Sequence, residues 1–119
     1  MDVVRHWEEA RRRVEAGESV IYVEGGNSML PLIASYQPVT LSPVDAGQLA
    51  KGDIVLVRVR RNVYTHKVTA VRRGQVQISN NRGHVNGWTS LRNVFAIVSA
   101  IDGRLVPSAQ AKILKPAVS

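Results

Sequence analysis

Two short stretches of this sequence hold residues of the types that make an activated nucleophile. The first is Gly25-Gly26-Asn27-Ser28-Met29-Leu30-Pro31. Two glycines and an asparagine tolerate backbone angles that other residues resist, so the chain can turn sharply and leave Ser28 at the tip. A serine held this way presents its hydroxyl to a cleft with its own N–H aimed at the same point. On local sequence alone, capping a short helical turn is the commoner duty for such a serine. The second stretch is Tyr64-Thr65-His66-Lys67-Val68. A serine hydroxyl is a weak nucleophile until a neighbouring base removes its proton, and either an imidazole or an amine can do so. Successive side chains of a strand point to opposite faces, so only one of His66 and Lys67 can reach the serine.

The elements that must position these residues read mainly as strands. Val20 to Val23 is a strand that runs into the serine turn, and the central part of Gln37 to Pro43 alternates like a strand whose prolines mark an edge or its ends. Val44 to Lys51 is a connector. Gly52-Asp53 turns the chain into the apolar strand Ile54–Val59, with Asp53 bonding the nearby backbone. Arg60-Arg61-Asn62 links this strand to Val63–Val71, and Arg73-Gly74 turns back into Val76–Ser79. Asn80 to Ser90 reads as a polar loop holding His84 and Trp88. Val94 to Ile101 is a long apolar strand followed by an Asp102-Gly103 hairpin turn and a short return over Arg104–Val106. Residues 2–16 carry Val3, Trp7, Ala10 and Val14 at helical spacing, which predicts an amphipathic helix ended by Gly17. The expected architecture is one domain over residues 1–119. It has an N-terminal helix over 1–17, a β domain over 18–107 whose twisted sheet closes towards a barrel, and a frayed tail over 108–119.

Composition bounds the function. The chain has 119 residues, 45% of them hydrophobic, enough for one core. It has no cysteine, so neither a disulfide framework nor cysteine-ligated metal enters. His84, with Asn86 and Trp88 around it, lacks a carboxylate or second histidine at ligand spacing and reads as solvent-facing, so no metal and no cofactor is expected. No apolar run approaches the roughly 20 residues that span a bilayer, and the N-terminus lacks the apolar core of a signal peptide. A cytoplasmic protein without a membrane span is the expectation. The net charge of +7 opens a nucleic-acid reading. The arginines of Arg11-Arg12-Arg13, Arg58 to Arg61 and Arg72-Arg73 lack interleaved aromatics, which favours a solvated basic face.

Gly26-x-Ser28-Met29-x-Pro31, Gly52-Asp53-Ile54-Val55-Leu56-Val57 and Tyr64-Thr65-His66-Lys67-Val68 occur in the order found in the signal peptidase and LexA-type serine peptidase superfamily. The resemblance runs from about Val20 to Ile101. Bacterial members carry a lysine base in the third block, whereas archaeal and endoplasmic-reticulum signal peptidases carry histidine in a His-Arg-Val run, which His66-Lys67-Val68 resembles. The resemblance implies Ser28 as nucleophile and His66 as base, with Met29 and Pro31 at the substrate cleft. The oxyanion would be held by the Ser28 N–H and a neighbour, for which Asn27 is a candidate. Histidine-type members place an aspartate downstream in a Gly-Asp-Asn run. Here the run is Ser79-Asn80-Asn81-Arg82, with no acid before Asp102, so Asn80 or Asn81 is the candidate to orient the ring.

The self-cleaving repressors of this superfamily cut an Ala-Gly bond that precedes the serine. Ala16-Gly17 is present here, but on a short tether and explained by a helix stop. The resemblance therefore implies an unanchored serine peptidase of the kind found in phage and prophage genomes, acting on a protein or peptide partner presented as an extended strand. The alternatives are a silent peptide-binding or regulatory module on the same fold, or a basic nucleic-acid-binding domain. The sequence does not address oligomeric state.

Overall fold

The computed structural model describes residues 2–115. Nine strands form one mixed sheet: β1 Val3–Val4, β2 Val20–Tyr22, β3 Val39–Ser42, β4 Ile54–Val59, β5 Asn62–Arg72, β6 Gln75–Ser79, β7 Val85–Ser90, β8 Val94–Ile101 and β9 Arg104–Leu105. The spatial order is β1-β2-β3-β8-β4-β5-β6-β7, with β9 added against β8. β1 pairs parallel with β2 and every other pairing is antiparallel. Helix α1 (Trp7–Glu15) precedes β2, and the short α2 (Pro107–Gln110) follows β9. The mainly β expectation agrees with this architecture.

The alternation along β4 and β8 builds two cores, one on each face. Ile54 and Leu56 pack with Val20, Leu41, Phe95 and Val98 beneath α1, while Val55, Val57 and Val59 pack with Val68, Val76, Ile78 and Ile97 on the other side. A strand buried on both faces must be apolar at nearly every position, which is why β4 and β8 read as continuous apolar runs. Helix α1 buries Ala10 and Val14, and Trp7 stacks on Phe95 with ring centroids 6.1 Å apart. Glu8 and Glu9 lie in its first turn and Arg12 and Arg13 in its last, each suited to the nearby end of the helix dipole. Gly17, at φ +98°, lets the chain leave the helix, with the Glu18 N–H donating back to the Arg13 carbonyl at 3.1 Å.

Four expectations need correction. The helix does not begin at residue 2, because Val3 and Val4 form an edge strand and Val4 is buried beneath α1. The polar loop over Asn80–Ser90 ends early, since Val85–Ser90 is β7, paired with β6. The sheet curls but does not close into a barrel. β7 reaches β4 only through side-chain contacts such as the Thr89 hydroxyl donating to the Arg58 carbonyl at 2.9 Å, and no ladder joins the two. Finally, the tail docks as far as residue 115. Ala109 is buried, Ile113 bridges Val44, and Lys112 pairs with Asp53 at 2.7 Å. Residues 116–119 of the expected tail lie outside the described residues. No described helix is long and apolar enough to cross a membrane.

Candidate functional site

Ser28 lies on the long crossing between β2 and β3. This segment has no regular structure, so its shape depends on specific bonds. The Leu30 N–H donates to the Asn27 carbonyl at 3.3 Å and the Ile33 N–H to the Met29 carbonyl at 3.0 Å, while Met29 is buried in the core. Gly26 adopts φ +123°, open to glycine and strained for other residues, and its N–H donates to Ser35 Oγ at 3.0 Å. Gly26→Ala is therefore expected to cost about 1–3 kcal/mol. It should also displace Ser28, so thermal melting and the reactivity of Ser28 should fall together.

The opposite side of the site comes from β5. His66 is 6% exposed, and its Nε2 lies 3.0 Å from Ser28 Oγ. Its Nδ1 lies 2.7 Å from Oδ1 of Asn86. An amide oxygen only accepts, so Nδ1 carries the proton and Nε2 offers its lone pair to the serine hydroxyl, the tautomer that a general base requires. The Tyr64 ring stacks on the imidazole at 4.7 Å, as residues two apart on one strand face can. Burial is the main influence on the imidazole and pulls its pKa below the ordinary 6.5. The bond to Asn86 and the charge of Glu24 oppose that pull, and His84 adds to it.

Asn86 is the residue that sequence reasoning missed in this role. The cross-strand partners run Ile78–Gly87 and then Ser79–Val85, which leaves Asn86 as the extra residue of a β-bulge. Bulges re-aim a side chain in this way, and the Asn-Gly pair at 86–87, with Gly87 at φ +134°, was the available signal. The two asparagines expected to orient the ring are engaged elsewhere. Asn80 Oδ1 accepts from the Arg82 and His84 N–H groups at 2.8 and 2.9 Å. Asn81 clamps the serine turn: its N–H donates to the Ser28 carbonyl at 2.7 Å and its Nδ2 to the Leu30 carbonyl at 2.9 Å. Lys67 Nζ donates to Asn81 Oδ1 at 2.8 Å, so its charge is spent on that clamp.

A pocket opens beside Ser28, walled by Tyr22, Glu24, Met29, Ile33, Val39 and Thr65. Met29 thus lines the cleft. Pro31 is exposed and does not line this pocket. Asn27 is exposed next to Ser28, with its carbonyl closing the turn. His84 is exposed, and its main chain braces the loop through Asn80. Among the described residues no three His, Asp or Glu side chains gather in a geometry that could hold a metal ion. Several arginines lie over aromatic faces: Arg11 over Phe95 at 3.9 Å, Arg58 over Trp7 at 5.6 Å and Arg72 over Trp88 at 4.0 Å. Phe95 is buried and Arg72 lies close over Trp88, which leaves those two rings poorly placed to stack bases. No protein-family model matches the chain, and no curated protein matches it in sequence.

Proposed function

We propose that this chain hydrolyses peptide bonds in extended protein segments through an acyl-enzyme on Ser28, as a small serine peptidase of the LexA and signal-peptidase kind. The observation that supports the reading is the continuous chain Ser28 Oγ–His66 Nε2, 3.0 Å, and His66 Nδ1–Asn86 Oδ1, 2.7 Å. His66 takes the hydroxyl proton as Ser28 Oγ attacks the scissile carbonyl, then returns it to the leaving amine. The resulting ester is hydrolysed by a water that the same imidazole activates. In this reading the Ser28 N–H, with Asn27 next to it, holds the developing oxyanion. Asn86 fixes the tautomer and the ring orientation. Being neutral, it stabilises the imidazolium less than a carboxylate would, so slow turnover is expected. That same neutral partner favours the second reading, a peptide-binding module that keeps the cleft without turnover.

A fluorophosphonate probe followed by intact mass tests the assignment. Wild-type protein should gain one adduct at Ser28, and Ser28→Ala none. Because burial lowers the pKa of His66, the labelling rate should rise with a midpoint below the ordinary 6.5 and stay flat through neutral pH. A folded protein that takes no label between about pH 5 and 9 would be the peptide-binding module instead.

A further inference from the structure

We propose that Glu24 makes the pocket beside Ser28 a receptor for a basic side chain of the substrate, lysine or arginine, and so sets the specificity of the site. The inference deepens the peptidase reading and rests on it. Glu24 lies just beyond the end of β2 and shares the pocket wall with Ser28. The Tyr22 hydroxyl donates to its Oε2 at 3.0 Å, which fixes the carboxylate at the pocket and leaves Oε1 free. The ion pairs among the described residues are Arg11–Glu15, Arg13–Glu18 and Lys112–Asp53, so Glu24 has no basic partner in a chain of net charge +7. Five other acidic side chains also lack an ion pair among the described residues, so what singles out Glu24 is its place: a carboxylate fixed by a tyrosine at the wall beside Ser28 is complementary to a cation supplied from outside.

A second, independent feature of the same wall asks for a ligand donor. Thr65 is 5% exposed, and its Oγ1 has no hydrogen-bond partner. A buried hydroxyl left unpaired costs free energy that a bound polar group recovers. Met29, Ile33 and Val39 give the wall an apolar stretch that suits the methylene stem preceding an ammonium or guanidinium, with Gln37 as a further polar group. A substrate with an acidic side chain at that position would meet the Glu24 charge and be rejected.

The test uses capped, amidated Ala/Ser peptides in which each position in turn carries lysine, arginine, norleucine, alanine or glutamate. Turnover is measured on the wild-type chain and binding on Ser28→Ala, each with and without Glu24→Gln, which keeps an oxygen for the Tyr22 hydroxyl. Lysine or arginine at one position should outperform norleucine there by about fivefold, the scale of a partly exposed ion pair. The advantage should shrink with added salt and vanish in Glu24→Gln. Norleucine or alanine equal to lysine at every position, or a basic preference untouched by Glu24→Gln, overturns the proposal while leaving Ser28 chemistry intact. A Glu24-dependent preference in binding, without turnover or labelling, would keep the pocket assignment and remove the peptidase reading. No peptide bound by Ser28→Ala and none cleaved by wild type would overturn both.

Discussion

Replacing His66 with alanine should abolish Ser28-dependent cleavage and labelling, by on the order of 10²–10⁴-fold, the range a positioned general base contributes. Lys67→Ala should keep most of both. The contrast follows from where the two nitrogens go. His66 Nε2 stands 3.0 Å from Ser28 Oγ, whereas Lys67 Nζ donates to Asn81 Oδ1 at 2.8 Å. Removing the lysine costs the clamp one bond, while the two bonds from Asn81 to the Ser28 and Leu30 carbonyls remain. A change within a few-fold is the expected scale, because one bond of a part-buried clamp is lost and the others hold the turn. Inactive Lys67→Ala beside active His66→Ala, with both variants folded by circular dichroism, would assign the base to lysine.

The same histidine ties activity to stability through pH. Its folded-state pKa lies below the ordinary 6.5, chiefly through burial, so the unfolded chain binds its proton first as the pH falls. The contribution of neutral His66 to stability is therefore complete above about pH 6.5 and is lost as the pH drops from there through the lowered folded value. Acid should destabilise the site and silence the base together.

Much of this was legible because local chemistry alone determined it. Val94–Ile101 appears at the same bounds in sequence and structure, since a strand buried on both faces leaves an unbroken apolar run. The serine turn announces itself through Gly25, Gly26 and Asn27: Gly26 uses its backbone freedom at φ +123°, and Gly25 leaves room for the Tyr36 ring. The resemblance to the superfamily directed attention to His66, and the structure brings it to Ser28. What stayed hidden depends on distant partners. β1 is two residues long and exists by pairing with β2 across a helix, so Val3 merged into the helical pattern of Trp7, Ala10 and Val14. β7 is a polar edge strand broken by Gly87, and without its pairing to β6 the bulge that aims Asn86 at the imidazole cannot be inferred. Glu24 is exposed on a strand end, and its meaning comes only from the pocket it shares with Ser28. The tail carried no apolar periodicity, and its docking depends on partners far along the chain: Asp53 for Lys112, Val44 for Ile113 and the core for Ala109.

That last pairing yields the largest expected effect on stability. Asp53 serves its turn as the sequence implies, its Oδ2 accepting the Ala50 N–H at 2.8 Å. Its side chain is also 1% exposed, and Lys112 Nζ reaches both carboxylate oxygens, at 2.8 and 2.7 Å. Lys112→Ala would leave a buried carboxylate with one N–H donor and no counter-charge, at a cost of about 3–5 kcal/mol. For a domain of this size that should lower the melting temperature by on the order of 10–20 °C. Pairing Lys112→Met with Asp53→Leu removes both charges and should recover much of the loss, since an apolar pair of similar bulk demands no desolvation. The buried geometry thus predicts a single variant worse than the double. If Lys112→Ala instead costs less than about 1 kcal/mol, the pair is screened like any surface bridge, and the tail is held by Ala109, Ile113 and its backbone bonds to Asp45 and Pro43.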